Sequence, residues 1–167
     1  MPVSRELLKP VSPGFIVFSF AFALLTALIP WGRTVQFILP DTVALLLLYW
    51  SMNQPRHVGI GWAFVMGLVL DIADGNLFGQ HGMAYCLATY LMLIRHRQLA
   101  MFPLWQQSLY VGPLLLIAQA VMLVTRLLLG DPFPGWLYFM GSLVGALIWP
   151  AFSWLLQIPQ RKDSPAS

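Results

Sequence analysis

Few residues in this chain could do chemistry, and two of them stand close together in the stretch GLVLDIADGNLFG, residues 67–79. Asp71 and Asp74 are three positions apart, so on a helix their carboxylates lie on one face and could share a cation. Two carboxylates alone make a poor hard-cation site, because such ions want six or more oxygens. The other ligand-type residues do not complete one. His57, His81 and His96 fall in three different connections, and Cys86 sits alone inside an apolar block. A single cysteine excludes an internal disulfide and a cysteine-based metal cluster. No G-x-S-x-G, H-E-x-x-H or phosphate-binding glycine loop occurs. The expectation is a protein without catalysis and without a cofactor.

The aspartates end an apolar run, and the solvent around that run decides what they mean. The chain of 167 residues is 59% hydrophobic, 14% aromatic and 9% charged. A soluble domain carries roughly 25% charged residues. The apolar residues come in blocks separated by short polar or proline-marked breaks, which reads as an all-α integral membrane protein. The net charge of +3 comes from basic residues in short connections. That placement reads as membrane topology and not as a nucleic-acid footprint.

Six apolar segments can be drawn, at residues 14–29, 39–52, 58–71, 82–94, 107–129 and 136–157. Residues 1–13 and 158–167 are then short tails around a compact bundle of about six transmembrane helices. The first segment follows a basic start, but no small-x-small cleavage site precedes polar sequence, so it reads as an uncleaved span. A crossing helix needs about 20 apolar residues. The last two segments meet that. Segments two to four fall short in their strictly apolar parts, so protein must cover their backbone, and a re-entrant second segment stays open. With both ends in the cytoplasm, Arg5, Lys9, Arg56, Arg95, Arg97, Arg161 and Lys162 lie inside and Arg33 alone outside. Seven against one follows the positive-inside rule and implies a multi-pass protein of the cytoplasmic membrane. Trp31, Trp50, Trp105 and Trp136 fall near segment ends, as interfacial tryptophans do.

In this layout Asp71 and Asp74 mark the outer end of the third segment. A helix C-terminus disfavours an aspartate by a few tenths to ~1 kcal/mol. Some other group must favour Asp71. Arg126, near the outer end of the fifth segment, lies at similar depth, as does Asp41. Ionisable groups within spans face protein and pair, so a polar cluster of Asp41, Asp71 and Arg126 is expected, with Gln119 on the helix face of Arg126. Plainer readings stand beside it. Asp41 after Pro40 suits a helix start, Arg126 can snorkel to headgroups, and Asp74-Gly75 suits a turn. Small residues give a second signal. Gly59, Ala63 and Gly67 fall at i, i+4 and i+8, and Gly141 with Gly145 forms a G-x-x-x-G. Both patterns allow close helix approach, within the bundle or against another protein's span.

Pro40-Asp41 opening the second segment, then Gly67 with Asp71, then Gly75, Leu77 and Gly79, resembles the rod shape-determining MreD family of bacteria. The hydropathy layout matches over most of the chain, and the specific residues over about its middle third. The sequence departs at Thr42-Val43, where many members carry an aromatic residue. The resemblance implies a fold similar to the substrate-binding subunits of energy-coupling-factor transporters and implies no catalysis. It implies action with MreC, a single-span protein with a periplasmic domain, alongside MreB, RodA and a penicillin-binding transpeptidase. Membrane lipid, and a second copy of the chain, are further partners in this reading. Two other readings remain at the sequence level: a transport subunit holding a vitamin-like molecule in the bundle, and a membrane enzyme using Asp71 and Asp74 with a cation.

Overall fold

Local chemistry marks the ends of several of the described helices. The computed structural model describes residues 11–75 and 79–160. Helix α1, Pro13–Ala27, starts where Ser12 Oγ accepts the N–H of Phe15 at 3.3 Å and Pro13 takes the first helical position. Proline suits that position because its missing N–H would be unpaired there anyway. Helix α2, Arg33–Ile38, stops at Leu39, which is extended because it precedes Pro40. Helix α3, Thr42–Asn53, restarts at once with Asp41 as its N-cap. The second segment of the sequence reading therefore begins earlier than residue 39. With α2 included, Arg33–Asn53 spans 21 residues across the break. Arg33 opens this helix and does not sit in a loop.

Helix α3 is the centre of the molecule. Every residue from 43 to 52 is buried. A helix that is apolar all round belongs inside, and α3 packs against α1, α5 and α7. Trp50 lies in this core, fully buried, with Nε1 donating to Ser19 Oγ at 3.1 Å. The expectation of an interfacial Trp50 is thus corrected, while Trp31, Trp105 and Trp136 are exposed. Its indole has an apolar body and one donor, and the neighbouring α1 supplies the acceptor.

The remaining helices form consecutive antiparallel pairs. Helix α4, Ile60–Asp74, ends at Gly75 in the left-handed conformation (φ 65°). Helix α5, Gln80–Leu99, begins after Gly79, also left-handed at φ 98°. It runs five residues past the apolar segment, because His96 and Arg97 suit the negative end of a helix. Helix α6, Leu104–Leu128, and helix α7, Met140–Gln157, carry Pro113 and Pro150 in their interiors. A 3-10 turn at Trp136–Phe139 leads into α7, and another at Ile158–Gln160 follows it. Among the described residues all regular structure is helical.

Arg33–Asn53, Leu104–Leu128 and Trp136–Gln160 are long and apolar enough to cross a membrane. Helix α1 is apolar but has only 15 residues. The outer surface is rich in large apolar side chains, among them Phe18, Phe22, Leu128 and Leu147. Such a surface suits lipid and would be costly in water.

Candidate polar junction between helices α3, α4 and α5

Asp71 is fully buried one turn before the end of α4. Its Oδ2 accepts the N–H of Gly79 at 2.8 Å, and its Oδ1 accepts the N–H of His81 at 3.0 Å. Oδ1 also meets His81 Nδ1 at 2.8 Å. Gly79 has no side chain with which to cap α5, so Asp71 caps α5 from the neighbouring helix. The opposing dipole of α4 is thereby outweighed. The carboxylate lies against the positive start of α5 and takes three donors there, and hydrogen bonds to a charged group contribute about 1.5–3 kcal/mol each. A carboxylate accepts, so this contact calls for the His81 tautomer with its hydrogen on Nδ1.

Asp41 makes the second half of the junction. Its Oδ1 accepts the N–H of Ala44 at 3.0 Å, the ordinary N-cap bond of α3. Its Oδ2 accepts the hydroxyl of Tyr85 at 2.5 Å. Tyr85 lies one turn beyond His81 on α5, and the two rings meet edge to face at 5.7 Å between centroids. Four side chains from three helices thus form a line, Asp71, His81, Tyr85 and Asp41. It fastens the starts of α3 and α5 and the end of α4 at one end of the bundle.

The expected grouping of Asp41, Asp71 and Arg126 takes a different form. The side-chain partner of Asp71 is His81, and no ion pair joins Arg126 to either aspartate among the described residues. Arg126 is half-buried in the last turn of α6. Gln119, one face with it, turns to α7 instead. Its Nε2 donates to the carbonyl of Tyr138 at 3.0 Å, and its Oε1 accepts from Ser142 Oγ. Asp74 is exposed while Asp71 is buried and occupied by protein donors, so the two do not face a common cation. Among the described residues no cluster of three or more metal-ligand side chains occurs.

The glycines explain how the helices come close enough. A Cβ on Gly67 would stand 2.4 Å from the Cα and N of Gly82. That contact is backbone against backbone, and it is what brings Asp71 within reach of Gly79. Gly59, on the same sequence ridge, has open space. A Cβ on Gly141 would meet the carbonyl oxygens of Leu39 at 2.9 Å and Phe37 at 3.2 Å, where the α2–α3 break passes. On Gly145 it would meet Leu115 Cδ1 at 2.8 Å. Both glycines of the G-x-x-x-G therefore face the chain's own elements. Gly75 and Gly79 lie on either side of residues 76–78, and Leu77 is outside the described residues. Pro40 supplies the break that frees the N–H groups of α3 for Asp41.

His81 and Tyr85 were not singled out by the sequence reading, which assigned His81 to a connection. Their spacing of four, in phase on one helix face, is the signal that pairs them.

With this geometry in hand, the comparisons are specific. The profile of rod shape-determining protein MreD matches residues 9–158. A rod shape-determining protein MreD of Haemophilus influenzae is 30% identical over 143 residues, covering 86% of this chain and 88% of the relative. No solved structure matches. The profile spans α1 to α7, and the relative aligns over most of both chains, so this chain belongs to the MreD family of rod shape-determining proteins.

Proposed function

We propose that the chain is a non-enzymatic membrane subunit of the bacterial cell-wall elongation complex. In this reading it binds MreC and helps organise peptidoglycan synthesis with MreB, RodA and a penicillin-binding transpeptidase. The observation that carries it is the family match over residues 9–158. The protein lies in the cytoplasmic membrane, crosses it six times with both ends in the cytoplasm, and shares its architecture with energy-coupling-factor substrate-binding subunits. The seven-to-one division of basic residues supports that orientation.

The junction of Asp71, His81, Tyr85 and Asp41 serves in this reading as rigid scaffolding for the outer face. A groove of about 560 Å³ between α6 and α7 supplies a surface for the span of MreC. Its lining mixes small residues, Gly112 and Ala146, with large apolar ones, Leu109, Leu143 and Trp136. Small residues flanked by large apolar ones accept a partner helix closely.

A mild-detergent pull-down of the tagged chain from its native membrane tests the proposal. Recovery of MreC, and its loss in Ala146→Leu with protein level intact, is the expected result. Recovery of an ATPase transport module or a retained vitamin-like molecule, without wall proteins, would replace it with the transport reading.

A further inference from the structure

We propose that the tip joining α5 to α6, together with Arg56, binds the headgroup of an anionic phospholipid. Helices α3 and α5 start at the same end of the bundle, because Asp41 caps one and bonds to Tyr85 near the start of the other. Both run the same way, so the loop after α3 and the tip after α5 lie together at the opposite end. Arg56, Arg95 and Arg97 stand there, all exposed. The described carboxylates are elsewhere: Asp41, Asp71 and Asp74 are at the starting end, and Asp131 follows α6, which returns to it. Among the described residues, three arginines therefore face solvent or headgroups with no carboxylate at their end.

The same tip presents an apolar layer beside the cations. Met101 is 72% and Trp105 61% exposed, and Phe102 is exposed between them. Guanidinium groups bind phosphate through paired N–H donors, while tryptophan rings sit at the headgroup level beside it. Charge and exposed apolar surface at one end of the bundle match a lipid better than a soluble anion. The tip is also held in place. Gln107 Nε2 donates to the carbonyls of Leu99 at 3.2 Å and Phe102 at 3.1 Å, and Gln107 Oε1 accepts from Trp149 Nε1 at 3.1 Å. A surface already ordered loses little freedom when the lipid binds.

The test is native mass spectrometry of the full chain released from micelles holding equal amounts of phosphatidylglycerol and phosphatidylcholine. A cation near an anionic headgroup is worth about fivefold, so three predict a phosphatidylglycerol preference on the order of 100-fold. The triple variant Arg56→Gln, Arg95→Gln, Arg97→Gln should bring the ratio near one with helicity unchanged. If that variant loses helicity, the native chain in rising salt gives the same answer, since screening must collapse the ratio. Equal retention of the two lipids by the native chain overturns the proposal, as does an undiminished preference in the variant or in high salt. Protection from thermal unfolding by inorganic phosphate or poly-glutamate equal to that from phosphatidylglycerol also overturns it, in favour of a free anion or an acidic protein.

Discussion

The carboxylate of Asp71 accepts the backbone N–H of Gly79 at 2.8 Å, so a side chain of α4 caps the helix that follows it. The acceptor is buried, and among the described residues Asp71 is the partner of all three donors at the start of α5. Asp71→Ala leaves the N–H groups of Gly79 and His81 and the imidazole of His81 without their acceptor. Each orphaned donor costs about 1–3 kcal/mol, and loss of the whole cap is expected to destabilise by ~3 kcal/mol or more. Asp71→Asn keeps one good acceptor and should lose about half as much. Thermal unfolding in detergent checks the order. Equal melting of the native chain and Asp71→Ala would remove Asp71 from the fold's support.

Gly67 and Gly82 set how closely α4 and α5 approach. Gly67→Ala puts a methyl 2.4 Å from the backbone of Gly82, which cannot rotate aside. The helices must separate, and the Asp71 cap is stretched with them. Overpacking alone costs about 1–3 kcal/mol, and the strained cap adds to it. Gly82→Ala comes tightest against the ring of Phe64, at 3.3 Å, and should be milder. Gly59→Ala enters open space and is expected to be near neutral or slightly stabilising. Expression level and melting temperature across the three variants read the series, and a Gly67→Ala protein as stable as Gly59→Ala would contradict the close approach.

These cases also mark what the sequence could and could not reveal. A helix start at Pro40-Asp41 is local, so one proline and one capping residue announce it. The unusual placement of Asp71 was legible as a residue in need of a partner. Its partners were not, because two of the three donors are backbone N–H groups, which every residue has and no letter distinguishes. Arg126 was the visible cation, whereas His81 reads as polar sequence until α5 is known to begin at Gln80. Trp50 shows the same limit from the other side. Its place near a segment end suggested the interface, but its burial depends on α1 lying across α3 and bringing Ser19 to its indole. Contacts within one helix leave a period in the sequence, and contacts between helices do not.

Gly141 and Gly145 look equivalent in the G-x-x-x-G, and their surroundings separate them. A methyl on Gly141 meets two backbone carbonyls at the α2–α3 break, at 2.9 and 3.2 Å. A methyl on Gly145 meets the end of the Leu115 side chain at 2.8 Å, and a leucine can change rotamer. Gly141→Ala is therefore expected to lower stability by ~2 kcal/mol and Gly145→Ala by ~1 kcal/mol or less. If the motif served a partner's span instead, both variants would keep native stability and lose partner recovery together.

Tyr85 tests whether the junction acts as a line or as two separate caps. Tyr85→Phe removes the hydroxyl that donates to Asp41 at 2.5 Å but keeps the ring against His81 and the Asp41 bond to Ala44. A hydrogen bond to a charged acceptor is worth about 1.5–3 kcal/mol, and the loss should fall in that range. The link between the starts of α3 and α5 then rests on packing alone. Combined with Asp71→Asn, the loss should fall short of the sum of the two single losses if the aspartates support one another through His81 and Tyr85, because the first substitution already removes the support that the second would take away. A double-mutant cycle on melting free energies measures this directly. A coupling energy within error of zero would mean that Asp41 and Asp71 cap their helices independently, and that the ring contact between His81 and Tyr85 carries no support from one to the other.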